Sequence, residues 1–500
     1  MKIQLFFCLF CFTINYSFST NWVIGEFQTY TLPSQIANLV QDGDTISIEG
    51  GIYLDATKWT KKNLKFIGLG NSNNRTTIKY NGNIPNGKGI FVFESPGICD
   101  NAYFENIVFD GAQVSDSDGA NGAGIRFQAN NITINNCKFI NCQNGILEGH
   151  GNVTTSNVII ENSEFENNGY QIQNDPTHSG YEHHIYISAS ADTLILKNNY
   201  FHHPRGQANS IKTRAQRSYI LYNLIDEGET GYGSWEINIA QGGLNVIMGN
   251  VIIQGSTGAN HGIIGYDAAT NLIEDFYFVN NTVINKFVGN VKYFNIAPTT
   301  GINDFKIYNN IFSSIQNASI TIFTGTIPSN LDSSNNIYNE DYLSFGFTDY
   351  LTNDYSIPST SIAIDAGTDA GMTTTSFLLT PTNMYQSFSS DLLPRVIFNN
   401  FIDIGAYEFS NLSLENNSLN EKIISYPNPF KEKITVKLNG EFKENLQFQI
   451  IDIKGNVIVN KINIISSQHQ EIDFSTFQKG IYFIKVFGED EVYYKKIIKY

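Results

Sequence analysis

The sequence predicts an all-β protein, a right-handed parallel β-helix followed by a small C-terminal β-sandwich. A short motif recurs along the first four hundred residues at intervals of about 25 to 36 residues, the period of stacked coils. It consists of two or three apolar residues, an Asn, and an aromatic or aliphatic residue three positions on. Between its copies lie short β-branched and aromatic runs with period-two alternation and almost no helical periodicity. Beyond residue 422 the motif stops, and alternating strands separated by turn residues take over.

Composition agrees. Charged residues are 16% and aromatics 13% of 500 residues, which favours an ordered, strand-rich chain over disorder. A net charge of −16 speaks against a nucleic-acid partner. No later stretch is apolar and long enough for a transmembrane helix, and a monomer is expected.

The elements follow in order. Lys2, the apolar run 3–14 and the small-x-small site Ser17-Phe18-Ser19 form a secretory signal peptide over 1–19. Cys8 and Cys11 leave with it. Cys99, Cys137 and Cys142 remain, too few and too odd for a disulfide framework. They are expected to pack as small apolar residues, with a Cys137–Cys142 bridge as the alternative.

Residues 20–410 form the β-helix: opening coils 20–100, site-bearing coils 101–330 and a closing segment 331–410. The motif asparagines are Asn106, Asn136, Asn162, Asn198, Asn223, Asn250, Asn280 and Asn309. Asn tolerates a left-handed turn and can hydrogen-bond to its neighbour in the next coil, so this column is structural.

A second strand follows most of these asparagines: 145–150, 183–188, 209–214, 235–240 and 261–266, with 123–128 earlier. Stacked by their isoleucines, they turn Ile125, Ile185, Ile211 and Ile237 inward. Alternation then sends out Arg126, His184 and Tyr186, Lys212 and Arg214, Glu236 and Asn238, and Glu148 is expected to join them.

Charge singles out this face. No acidic residue stands between Asp192 and Asp226, whereas Lys197, Arg205, Lys212, Arg214 and Arg217 do, with His202 and His203. An acidic chain that concentrates cations in one place is suited to hold an anion. Seven of the eight histidines, among them His150, His178 and His261, lie between 150 and 261, as does Trp235. Clustered titratable groups mark a functional face.

An anionic polysaccharide fits a long groove of this kind. Cleaving a polyuronate by β-elimination needs a group that neutralises the C5 carboxylate, a base for the C5 proton and an acid for the leaving oxygen. Arg214 suits the first role. Lys212 suits the second if Arg214 lowers its pKa, and His184 competes for it. Tyr186 suits the third. Arg126, Glu148, Glu236, Asn238, Trp235, His178 and His261 are expected to line the substrate, with Trp235, Tyr181 and Tyr232 stacking on sugar rings. Lys197, Arg205 and Arg217 are expected at the groove rim. Hydrolysis needs a carboxylate pair, for which Glu148, Glu236 and Asp267 are the candidates. A C5-epimerase or a non-catalytic glycan-binding adhesin remains open. The sequence identifies no cofactor with certainty; Asp116 and Asp118 in the turn 114–119 offer alternating oxygens to Ca²⁺ or form a solvated turn.

Several segments resemble known families. Residues 40–70 resemble the opening coils of pectate-lyase-like β-helices, and residues 361–409 the closing segment of many secreted bacterial β-helix proteins. Ser210-Ile211-Lys212-Thr213-Arg214 resembles the lysine-bearing strand of chondroitinase-B-like and alginate lyases. That resemblance implies Lys212 as the base. In that family an arginine lies on the following coil; 235–240 holds none, and Arg214 would substitute for it.

Residues 411–422 read as a polar linker. Residues 423–500, with Tyr426-Pro427-Asn428-Pro429-Phe430, Asp452 to Gly455, Gly480-Ile481-Tyr482 and a basic terminal strand, resemble the type IX secretion sorting domain of Bacteroidetes. The resemblance implies handling by that secretion machinery, removal of the domain, and a final place outside the cell or on its surface.

Overall fold

A computed structural model describes residues 19–499 apart from 81, 83, 151–155, 173, 174, 176, 179, 261, 268–270, 272, 273, 298–301, 390, 398–400, 410–422, 439–446, 453–456, 461–468 and 488–491. The signal peptide (but for Ser19) and the linker expected from the sequence lie outside the described residues. The chain divides into a unit that ends at Phe409 and a second from Ser410 to Tyr500.

The first unit is a parallel β-helix. Each full coil contributes one strand to each of three long parallel sheets of 12, 11 and 10 strands, here called A, B and C. Sheet A runs into sheet B through a tight corner, two residues long in most coils. That corner demands left-handed backbone, which Asn tolerates. Asn106, Asn136, Asn162, Asn198, Asn280 and Asn309 occupy it with φ between 49° and 58°.

Asn223 and Asn250 do not. Tyr222 and Gly249 take the left-handed turn in their coils, with φ of 55° and 69°. The two asparagines shift one residue on, into a buried ladder. Asn199 Nδ2 donates to Asn223 Oδ1 at 3.0 Å, Asn223 to Asn250 at 2.9 Å, Asn250 to Asn281 at 3.0 Å and Asn281 to Asn310 at 3.1 Å. The ladder satisfies polar corners that the coil stack removes from water.

Inside, like stacks on like. Ile125, Ile146, Ile185, Ile211, Ile237 and Ile264 are successive register partners in sheet C, none more than 1% exposed. Phe109, Phe139, Phe165 and Phe201 stack from coil to coil along sheet B, with centroids 4.8 to 5.2 Å apart. Cys99, Cys137 and Cys142 are free and buried.

The closing segment folds back along the outside. Phe347, Tyr355, Ile357, Ile404 and Ala406 cover the outward Val251, Ile253, Ile284 and Ile311 of sheet B. Ala370 and Leu379 cover Leu244, Val246, Met248 and Tyr277 of sheet A. Arg395 fastens the segment: buried, it donates to Glu408 Oε2 at 2.8 Å and to the carbonyls of Gly405 and Asp403. These apolar outer rows explain the cover. On sheet C the central outward row is mostly polar and lies outside both covered clusters.

The second unit pairs a three-stranded and a four-stranded antiparallel sheet around Phe430, Ile434, Phe448, Ile450, Phe474, Ile484 and Ile497. Among the described residues no helix is long and apolar enough to cross a membrane.

Candidate functional site on sheet C

The isoleucine register brings the outward residues into one column. Arg126, Leu147, Tyr186, Lys212, Asn238 and Gly265 are successive partners, rising by about 4.8 Å per coil. Lys212 stands on the strand Asn209–Thr213 and Arg214 directly follows it; both meet Tyr186 on the coil below. The Lys212 ammonium lies 5.6 Å, and the Arg214 guanidinium carbon 5.7 Å, from the ring centroid. All three are half-buried. Among the described residues neither cation has an acidic partner within ion-pair distance. Burial first, and Arg214 second, pull the Lys212 amine below the usual lysine range; Asp267 opposes them.

Arg126 stands three coils below Lys212, roughly 14 Å away at the ordinary strand spacing. It donates to the carbonyls of Leu147 and Gly149 at 3.0 and 3.4 Å. Asn238 is half-buried above Lys212. Trp235 lies against Gly262 and Gly265 of the next coil. A Cβ on Gly262 would come within 2.1 Å of the indole, so only glycine leaves room for the ring.

Three residues expected on this face turn away from it. His184 is fully buried: its Nδ1 lies 3.0 Å from Asn168 Nδ2, and its ring abuts Phe165 and Phe201. Where the chain bends from sheet B into sheet C, two consecutive side chains face inward. The same position on lower coils is Gly124 and Gly145, where a Cβ would strike the phenylalanines of sheet B. Glu236 shares that inward position. It is 3% exposed and accepts from Ser210 Oγ at 3.2 Å. Burial, and then Glu227 nearby, push its carboxyl well above the carboxylate range.

Glu148 is the third. It is the register partner of the inward Phe127, with no exposure. It accepts from Ser188 N and Ser190 Oγ, each at 3.0 Å. Burial outweighs those bonds and pushes its carboxyl up to about 7.

His178 belongs to the loop before sheet C. It stacks on Tyr170 with centroids 3.5 Å apart, pairs with Glu182 at 2.8 Å and lies 3.6 Å from Asp116. It therefore ties two neighbouring loops together. Asp118 is bonded by Ser115 at 2.6 Å. His261 lies outside the described residues. Tyr232 helps line a cavity of about 570 Å³ between loops, with Glu229, Thr257 and Phe287.

The rim expectation also changes. Lys197 closes a strand of sheet A and Arg217 opens the next, paired with Asp192 at 2.6 Å. The acid-free window wraps around all three sheets, and within it Lys212 is the one cation on a sheet C strand, with Arg214 directly after that strand's end. On sheet B, Glu164, Glu166 and His202 bring ligand atoms within 4.8 Å of one another. The Lys138 ammonium already bridges both carboxylates there, at 3.1 and 2.7 Å.

His183 counts among the clustered histidines, but the sequence assigns it no role. It opens its strand, is 1% exposed, and stacks nearly parallel to Tyr186 at 5.8 Å. Its position at a strand edge, where alternation has not begun, concealed it.

Residues 425–500 match the secretion system C-terminal sorting domain. The chain is therefore a secreted protein, addressed to the cell surface or the exterior by a type IX signal. No curated protein matches the sequence. Similar solved structures include tailspike protein gp49 of the Acinetobacter baumannii bacteriophage Fri1, a capsular polysaccharide depolymerase. It is 10% identical over 96% of this chain and 78% of that one, with a TM-score of 0.35. The tailspike protein of Acinetobacter phage vB_ApiP_P1 is 11% identical over 93% and 74%, with a TM-score of 0.25.

Proposed function

We propose that sheet C binds an acidic, uronate-containing polysaccharide and cleaves it by β-elimination. The observation that carries this reading is the convergence of Lys212 and Arg214 on Tyr186, with no acid of the described chain neutralising either cation. Arg214 pairs with the C5 carboxylate through its planar fork. Lys212, its amine made easier to deprotonate by burial and by Arg214, takes the C5 proton. The electrons of that bond form the C4–C5 double bond as the C4–O bond breaks. The Tyr186 hydroxyl gives its proton to the departing oxygen.

Elimination is favoured over hydrolysis because Glu148 and Glu236 are withdrawn into the coil interior. Of the three carboxylates available for a hydrolytic pair, Asp267 alone is exposed on this face.

The test is incubation of the purified protein with pectate, alginate, glucuronan and chondroitin-type chains, with and without calcium. Unsaturated-uronate absorbance is expected with at least one. New reducing ends without it would mean hydrolysis, altered C5 configuration without cleavage would mean epimerisation, and binding alone would mean an adhesin.

A further inference from the structure

The first residue of three successive sheet C strands performs one structural task. Its side chain accepts the backbone N–H at the start of the next strand. Asn144 Oδ1 accepts from His183 N at 3.0 Å, His183 Nδ1 from Asn209 N at 3.2 Å, and Asn209 Oδ1 from Trp235 N at 3.2 Å. Two rungs are amides and the middle one is an imidazole. An asparagine would serve the ladder equally well there, so the ladder does not account for the ring.

The ladder does dictate the ring's state. A backbone N–H can only donate, so Nδ1 must be unprotonated, and a neutral imidazole then carries its proton on Nε2. Around the ring stand Tyr186, Lys212, Arg214 and, behind the strand, His184. Burial, then Lys212, His184 and Arg214, all disfavour a second proton. Among the described residues nothing bonds Nε2.

We infer that His183 is a further catalytic residue of this site: a fixed, neutral donor whose Nε2–H bonds the substrate carboxylate beside Arg214. This rests on the elimination reading. As the C5 proton leaves, negative charge grows on that carboxylate, and a donor already in place stabilises it without transferring its proton. The same hydrogen bond denies Nδ1 to any role as base, which leaves proton abstraction to Lys212.

The experiment is His183→Asn, which keeps a ladder acceptor and removes Nε2. On the uronate chain that the parent cleaves, kcat is expected to fall about 100-fold, the cost of losing one such donor. KM and the melting temperature are expected to stay near the parent's. Parental turnover in His183→Asn would overturn the proposal and leave His183 a ladder rung. Should that variant not fold, ¹⁵N NMR of the parent decides: Nδ1 bare and Nε2 protonated across about pH 6 to 9 supports it, and a ring that gains a second proton in that range overturns it. A parent inactive on every uronate overturns the reading of the site itself, and His183's role falls with it.

Discussion

Lys212 stands over the ring of Tyr186, its register partner on the coil below, with the ammonium 5.6 Å from the ring centroid. In the proposed elimination the two act as base and acid, one coil apart, on the two sides of a single glycosidic bond.

Lys212→Ala is expected to lower turnover by about 10² to 10⁴-fold, the usual contribution of a positioned base, while calorimetric binding of an oligouronate persists. Lys212→Arg should fail similarly, since a guanidinium keeps the charge and cannot accept the proton. The rising limb of the parent's pH–rate profile should fall below 10.5, because burial and Arg214 lower this amine. Retained turnover in Lys212→Ala contradicts the assignment.

Glu148 makes stability pH-dependent. Its folded pKa, about 7, lies above the ordinary 4.5, so between those values the folded state holds a proton that the unfolded chain has lost. Stability therefore falls as pH rises through that window and levels off above it. The contribution is about 3 kcal/mol at most. Glu148→Gln should gain on the parent between about pH 5 and pH 8, read from denaturant midpoints. Parallel profiles would refute this.

Trp235 needs two glycines. Trp235→Ala is expected to raise KM about three- to tenfold, matching an aromatic contact of about 0.5–1.5 kcal/mol, with little change in kcat. Gly262→Ala should do the same by displacing the indole from its seat. Unchanged KM in both would remove Trp235 from the groove.

The asparagine ladder should bear on folding and not on catalysis. Asn250 donates to Ile220 O and Asn281 Oδ1 and accepts from Asn223 N and Nδ2. Asn250→Ala is expected to cost roughly 2–4 kcal/mol, because its partners stay buried and unbonded. Urea titration measures it, and KM should not move.

Sheet C could be read in advance because isoleucine marks its inward positions. Ile125, Ile185, Ile211 and Ile237 are buried, so Arg126, Tyr186, Lys212 and Asn238 emerge between them. Strict alternation breaks one residue earlier, at the corner where His184 and Glu236 both turn inward. Gly124 and Gly145 at that corner were the visible trace of a crowded interior. Asn223 and Asn250 escaped their column because Tyr222 and Gly249 accept the left-handed turn in their place. His183 was hidden for a different reason: its partner is a backbone N–H on another coil, and no pattern of side chains records that.

The closing segment covers sheets A and B over the later coils and leaves the outward row of sheet C outside its clusters. The backbone of that row repeats from coil to coil, but its side chains do not: Arg126, Leu147, Tyr186, Lys212, Asn238 and Gly265 differ at every step. A repeating chain laid along it would therefore meet different neighbours each time it slipped by one coil. If the proposed elimination holds, a chain is cleaved only in the one frame that sets a bond against Tyr186 and Lys212, and every other frame is a resting place.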